Sequence, residues 1–121
     1  MNWITSLACL VLWMFTAVGR ALESGTWEGH ITFGRGRSSF TPCKSKETWW
    51  VKNKGYTKTV EELQKQYAQI ARKPYEQVYV RLHGDVSRKG QYGPLGSYQR
   101  VVYLEEILDI HPKQEDDCTE R

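Results

Sequence analysis

The sequence predicts a mainly β domain with one helix, closed into a small five-stranded barrel. Three observations predict it. Behind an amino-terminal apolar run come three strand-like stretches, one helix-like stretch and two more strand-like stretches. At 121 residues the chain is long enough for one domain and too short for two. The order β-β-β-α-β-β is that of an OB-like barrel, whose binding face is flanked by the loop between strands one and two and the loop between strands four and five.

Residues 4–18 read ITSLACLVLWMFTAV, with no charged side chain. Such a run is shorter than the roughly 20 residues that a membrane-spanning helix needs. The small residues Ala17, Gly19 and Ala21 follow, which suits cleavage after Gly19 or Ala21. Residues 1–21 are therefore expected to be a signal peptide, and the protein to be secreted or periplasmic. No Lys or Arg precedes the run, so an uncleaved membrane anchor is the alternative. Lipid attachment at Cys9 is disfavoured, because it would leave the apolar residues 10–18 on the mature protein. Contact with a membrane is expected only if this segment is uncleaved or lipidated.

Residues 26–33 (TWEGHITF) alternate between Trp27, Gly29, Ile31, Phe33 and polar neighbours, the period of a half-buried strand. Gly29 inside that strand marks a bend or bulge. Residues 34–38 (GRGRS) form a turn by composition. Residues 39–43 form a short second strand, ended at Pro42. Residues 47–51 carry the third, in which Trp49 and Trp50 must face opposite ways, so one of them is a candidate contact residue. Thr59 and Glu62 match a capping box. Val60, Leu63, Tyr67, Ile70 and Ala71 follow on one helical face, and the helix ends before Pro74. Residues 77–84 (QVYVRLHG) alternate as the fourth strand. Gly90, Gly93, Pro94 and Gly96 then mark a long loop. Residues 100–110 form the fifth strand, with Val102, Leu104, Glu106, Leu108 and Ile110 in the apolar register. Glu106 therefore stands where core residues are expected. Either a bulge turns it outward or it is buried and paired, with Arg81 and His83 as natural partners; the register favours the buried pair. The barrel is expected over residues 22–110, and 111–121 is a polar, acidic tail that only Cys118 would tie down.

Cys43 and Cys118 are the cysteines outside the expected signal peptide. In an exported domain two cysteines are most simply a disulfide. Closing so long a loop stabilises the fold by about 4 kcal/mol in the chain-entropy model. Charge is polarised along the chain. Residues 34–73 carry ten Lys or Arg against three Glu, and residues 104–121 carry seven acids against two bases. Such asymmetry steers an anionic partner or lets the tail lie on the basic region.

The stretches HITFG (30–34), SFTPC (39–43), WWV (49–51), VYVRLHG (78–84), GQYGPLGSY (90–98) and LEEIL (104–108) resemble a family of small exported bacterial proteins of unknown function. That family is similar to the OB-like C-terminal domain of an envelope-stress and copper-homeostasis lipoprotein. The resemblance covers most of the chain beyond the signal. It implies an OB-like barrel in the bacterial envelope, with no catalytic activity. The lipoprotein's metal-linked cysteine pair belongs to its other domain and has no counterpart here.

Candidate chemistry follows from the loops. Arg35 and Arg37 after strand one, and Arg88, Lys89, Tyr92 and Tyr98 after strand four, combine cations with aromatic rings, as in OB barrels that bind oligonucleotides or glycans. Export argues against nucleic acid. The expected function is binding of an anionic envelope ligand or a protein partner. A structural envelope module and a carboxylate-dependent hydrolase built on Asp85, Glu105, Glu106 and Arg81 are the alternatives. No catalytic motif is present. His30, His83, Cys43 and His111 lack the close spacing of a metal site. No metal, cofactor or enzymatic activity is expected.

Overall fold

The computed structural model describes residues 22–119. The expected signal peptide, with Cys9 and both cleavage points, lies outside the described residues. Strands and helix follow in the predicted order: β1 (Leu22–Gly34), β2 (Arg37–Pro42), β3 (Trp49–Asn53), α1 (Thr59–Ile70), β4 (Val78–Ser87) and β5 (Arg100–Pro112). A single 3-10 turn, Pro94–Gly96, stands between β4 and β5. The strands close into a barrel in the order β1-β2-β3-β5-β4. β3 and β5 run parallel, and the other pairs are antiparallel.

Closure depends on β1. It pairs with β4 from Leu22 to Ile31 and with β2 from Gly29 to Gly34, so Gly29, His30 and Ile31 serve both ladders. At Gly29 a Cβ would stand 2.1 Å from the Thr41 carbonyl oxygen and 2.7 Å from the Pro42 Cα. Only glycine lets β2 come that close, which is the bend its place in the strand predicts.

Ile31, Phe40, Val80, Leu82, Val102 and Leu104 fill the barrel with no exposed surface. Helix α1 plugs one end, burying Leu63 and Tyr67, while Val60, Ile70 and Ala71 pack at the edge of the core. The Tyr67 ring meets Phe33 edge-on at 5.1 Å, and its hydroxyl donates to the Glu76 carbonyl. The helix start departs from the capping box. Thr59 donates its hydroxyl to the Glu105 carbonyl, and Asn53 Oδ1 accepts the Val60 amide at 2.7 Å. A tertiary neighbour thus does what a local cap would do.

Glu106 is not buried, contrary to the register read from the sequence; it is exposed. Two bulges in β5 are the reason. His83 lies opposite Glu106 but Gly84 opposite Leu104, leaving Glu105 as an extra residue; Arg81 lies opposite Asp109 but Leu82 opposite Ile107, leaving Leu108 extra. Each extra residue inverts the alternation. The inward set therefore runs Val102, Leu104, Ile107, Ile110. The expected partners change with it. His83 Nε2 lies 3.7 Å from Glu105 Oε2, and Arg81 is exposed, opposite Asp109. Gly84 sits at the first bulge, where a Cβ would stand 2.3 Å from the Tyr103 carbonyl oxygen.

The bulge sets two expectations for urea melts. Gly84→Ala should destabilise by about 2–3 kcal/mol through overpacking. Glu106→Ala should change stability by no more than about 0.5 kcal/mol. A large loss on removing Glu106 would overturn the outward register.

Candidate functional site

The β1–β2 turn is Arg35-Gly36, between the paired residues Gly34 and Arg37. Both turn residues have positive φ, 45° and 75°. That is the primed geometry whose twist matches a hairpin, and it projects Arg35 into solvent. The β4–β5 loop leaves β4 at Ser87, beside the start of β1, and folds on itself. Tyr92 and Tyr98 form a bridge through Tyr92 N→Tyr98 O at 2.9 Å and Tyr98 N→Tyr92 O at 3.1 Å. The absent side chain of Gly93 leaves room for the Tyr98 ring, 2.6 Å from where a Cβ would be.

Tyr98 stacks on Trp50 with ring centroids 6.3 Å apart, and Lys52 Nζ lies 4.8 Å above the Trp50 ring. Trp49 points into the core and Trp50 is half-buried on the outside. The division of the two tryptophans is thus the one alternation requires. Tyr98 is only 7% exposed, because Trp50 and the loop cover it. The aromatic surface left to a ligand belongs more to Trp50 and to Tyr75, which is 48% exposed.

The six predicted loop residues do not form one cluster. Arg37 and Tyr98 line the same hollow of about 280 Å³, together with Ser39, Thr48 and Tyr75. Arg35 lines another, of about 340 Å³, against the end of α1. Arg88 faces a third, beside the start of β1. Tyr92 donates its hydroxyl to the Arg88 carbonyl at 2.8 Å. Lys89 turns to Glu47, whose Oε2 is 3.9 Å from its Nζ.

Glu47 gathers the charge of that loop. It accepts the Trp49 indole N–H and the Arg100 Nε, both at 2.9 Å. The Trp49 hydrogen bond is the main reason that its carboxyl titrates below the ordinary carboxylate range; Arg100 and Lys89 add to it against the opposing effect of burial. The cations of the β4–β5 loop are therefore partly neutralised. Those of the β1–β2 turn are not: among the described residues, Arg35 and Arg37 have no ion-pair partner.

The carboxylates weighed for hydrolysis are differently placed. Lys54 Nζ lies 3.4 Å from Asp85 and 3.3 Å from Glu105, so one cation occupies both. Among the described residues no group of three or more His, Cys, Asp or Glu could hold a metal ion.

A family model, that of the NlpE C-terminal OB domain, matches residues 21–119. The chain belongs to this family. Neither the curated proteins nor the solved structures give a match. Family membership agrees with the observed barrel of five strands and one helix, and with the resemblance carried by the FTPC and YGPLGSY stretches. Among the described residues no helix is long and apolar enough to cross a membrane.

The opposite flank of this OB domain holds a second polar group that the sequence did not reveal. Cys43 and Cys118 are joined, 75 residues apart in sequence. Next to the bond, Asp117 is buried, 5% exposed. Its Oδ2 meets His30 Nε2 at 2.8 Å and accepts the Gln114 amide at 2.8 Å. The acidic tail is therefore held at two points, not by Cys118 alone. His30 is a structural anchor, although an isolated histidine beside polar residues gives no sign of it. Burial by itself would raise the Asp117 pKa, but the Gln114 amide and His30 outweigh it and leave the carboxyl below its ordinary value. Nearby, Tyr79 stacks on His111 at 4.3 Å and donates to Glu28 Oε2 at 2.7 Å. Burial, then that hydrogen bond, push its pKa up to about 12.

A carboxyl depressed in the folded state stabilises above its unfolded pKa and loses that effect as pH falls through the folded value. Asp117→Ala should thus cost about 2 kcal/mol at pH 7. The gap to the unaltered protein should narrow as pH falls below about 4, near the ordinary Asp pKa. Urea melts across pH 7 to 3 give the comparison, and a gap that stays constant would show that the carboxylate has no such role.

Proposed function

We propose that this domain acts in the bacterial envelope by binding an anionic ligand or protein partner in the hollow where the β4–β5 loop, folded over β3, meets Arg37 at the foot of the β1–β2 turn. The observation that carries this reading is the shared hollow of Arg37 and Tyr98, which are far apart in sequence and are brought together by closure of the barrel. A guanidinium without an acidic partner offers charge-assisted hydrogen bonds. The Trp50–Tyr98 stack and the Tyr75 ring offer apolar faces beside it. Arg35, Arg88, Lys89 and Tyr92 lie outside this hollow and would serve only as secondary contacts, with Lys89 weakened by Glu47.

The predicted signal peptide and membership of the family support a secreted or periplasmic location. Binding is favoured over catalysis because the acids nearest to a hydrolase arrangement are held by Lys54. Binding through exposed cations is also sensitive to ionic strength, since charges are screened beyond about 10 Å at 0.1 M salt.

Titration with a soluble acidic polysaccharide, followed by tryptophan fluorescence, tests the reading. Arg37→Ala should weaken binding about tenfold, the scale of one charge-assisted hydrogen bond, with no loss of thermal stability. Binding should also fall as salt is added. Undiminished affinity in the variant, or affinity indifferent to salt, would refute the assignment.

A further inference from the structure

The hollow behind Arg35 has a different character from the one in front of it. Its floor is apolar, formed by Phe33, Tyr67 and Ala71, and its rim carries Arg35, Arg72 and Lys73. No acidic residue lines it. Among the described residues none of the three cations has an ion-pair partner. Glu76 accepts the backbone amide of Arg72. Arg72 and Lys73 follow the carbonyl end of α1, where cations are favourable in any protein. Arg35 comes from a separate turn and has no such reason to be there.

Two turns are thus pressed together at one end of the barrel. The Tyr75 amide donates to the Phe33 carbonyl at 3.0 Å, and the Tyr75 ring lies over Gly34, within 2.7 Å of where a Cβ would be. The ring is half-exposed beside the cations. Tyr75 holds this position with φ at 63°, a conformation that a bulky residue rarely adopts.

We infer that this end of the barrel docks on the anionic lipid surface of a bilayer, with Arg35, Arg72 and Lys73 over headgroup phosphates and Tyr75 at the interface. The pattern fits a lipid surface better than a folded acidic partner. The cations project from two turns around a wide-open hollow, and mobile headgroups can meet projecting charges without a complementary shape. A tyrosine with an apolar ring and a polar tip suits the headgroup level. Juxtaposed basic residues bind anionic leaflets additively, and the attraction fades within a Debye length. The inference rests on the reading that this end of the domain binds anions, and it names the anion.

Co-sedimentation of the full chain with vesicles tests it, comparing phosphatidylcholine alone with phosphatidylcholine containing 30 mol% phosphatidylglycerol, an arbitrary but roughly physiological share of anionic lipid. Residues 4–18 are common to all variants and both vesicles, so the difference between vesicles is the readout. Partition should rise with phosphatidylglycerol and drop about fivefold for each cation removed, about a hundredfold in Arg35→Ala/Arg72→Ala/Lys73→Ala. Lys46→Ala/Arg81→Ala removes two exposed cations elsewhere on the barrel and should change partition far less. Melting curves confirm that the variants are folded. Equal partition into both vesicles, or equal losses in the two sets of variants, would overturn the inference. Retained binding of the acidic polysaccharide with no preference for phosphatidylglycerol would overturn it while leaving the anion-binding function in place. Loss of both would remove the two together.

Discussion

Double use of β1 is the constraint on which the rest of the molecule depends. One strand must hydrogen-bond to β4 along its first part and to β2 along its second, with Gly29 to Ile31 serving both. A flat strand cannot do this. It has to bend at the changeover, and the bend brings the Thr41 carbonyl to a place where any side chain at residue 29 would be. Closure then removes the free edges that an open sheet would present. It also makes an inside, into which Ile31, Phe40, Leu82 and Leu104 are packed with no exposed surface.

The bend also creates the ends of the barrel. The β1–β2 turn and the chain after α1 meet at one end, and the β4–β5 loop, which leaves beside the start of β1, folds over Trp50 to reach Arg37, so residues distant in sequence line common hollows. Charge is sorted between these elements by a single carboxylate. Glu47 engages Arg100 and Lys89, which quiets the β4–β5 loop. Among the described residues no acid does the same for Arg35, Arg37, Arg72 or Lys73. Three of these cations, Arg35, Arg72 and Lys73, line one hollow where the β1–β2 turn meets the end of α1, although basic residues are spread over a much longer part of the sequence.

On the other flank, charge is consumed by structure. Asp117 is drawn beside His30 and the Gln114 amide, next to the Cys43–Cys118 bond. The covalent link limits the tail to a small region, and the Asp117–His30 hydrogen bond fixes its orientation there. A buried carboxylate with two donors is stable where an unpaired one would not be. The polarity seen along the chain thus separates into an anchored acid and an unneutralised basic end.

Strand order, the inward face of β1, the apolar face of α1 and the outward turn of one of two tryptophans were all legible in the sequence. Each depends on alternation or spacing among near neighbours, and such patterns survive without knowledge of the fold. The cysteine pair was legible for a different reason, since two thiols in a chain with a predicted signal peptide have few alternatives. Glu106 was misread because a bulge leaves no mark on the local pattern; the extra residues Glu105 and Leu108 are defined only against Gly84 and Leu82 on β4. The helix cap was misread likewise, because Asn53 competes from another element and wins by position. Sequence alone determined which residues carry charge and aromatic rings. Only tertiary structure decided which cations meet Glu47, which remain unpaired, and that Asp117 finds His30, because electrostatics and hydrogen bonding depend on distances that barrel closure sets.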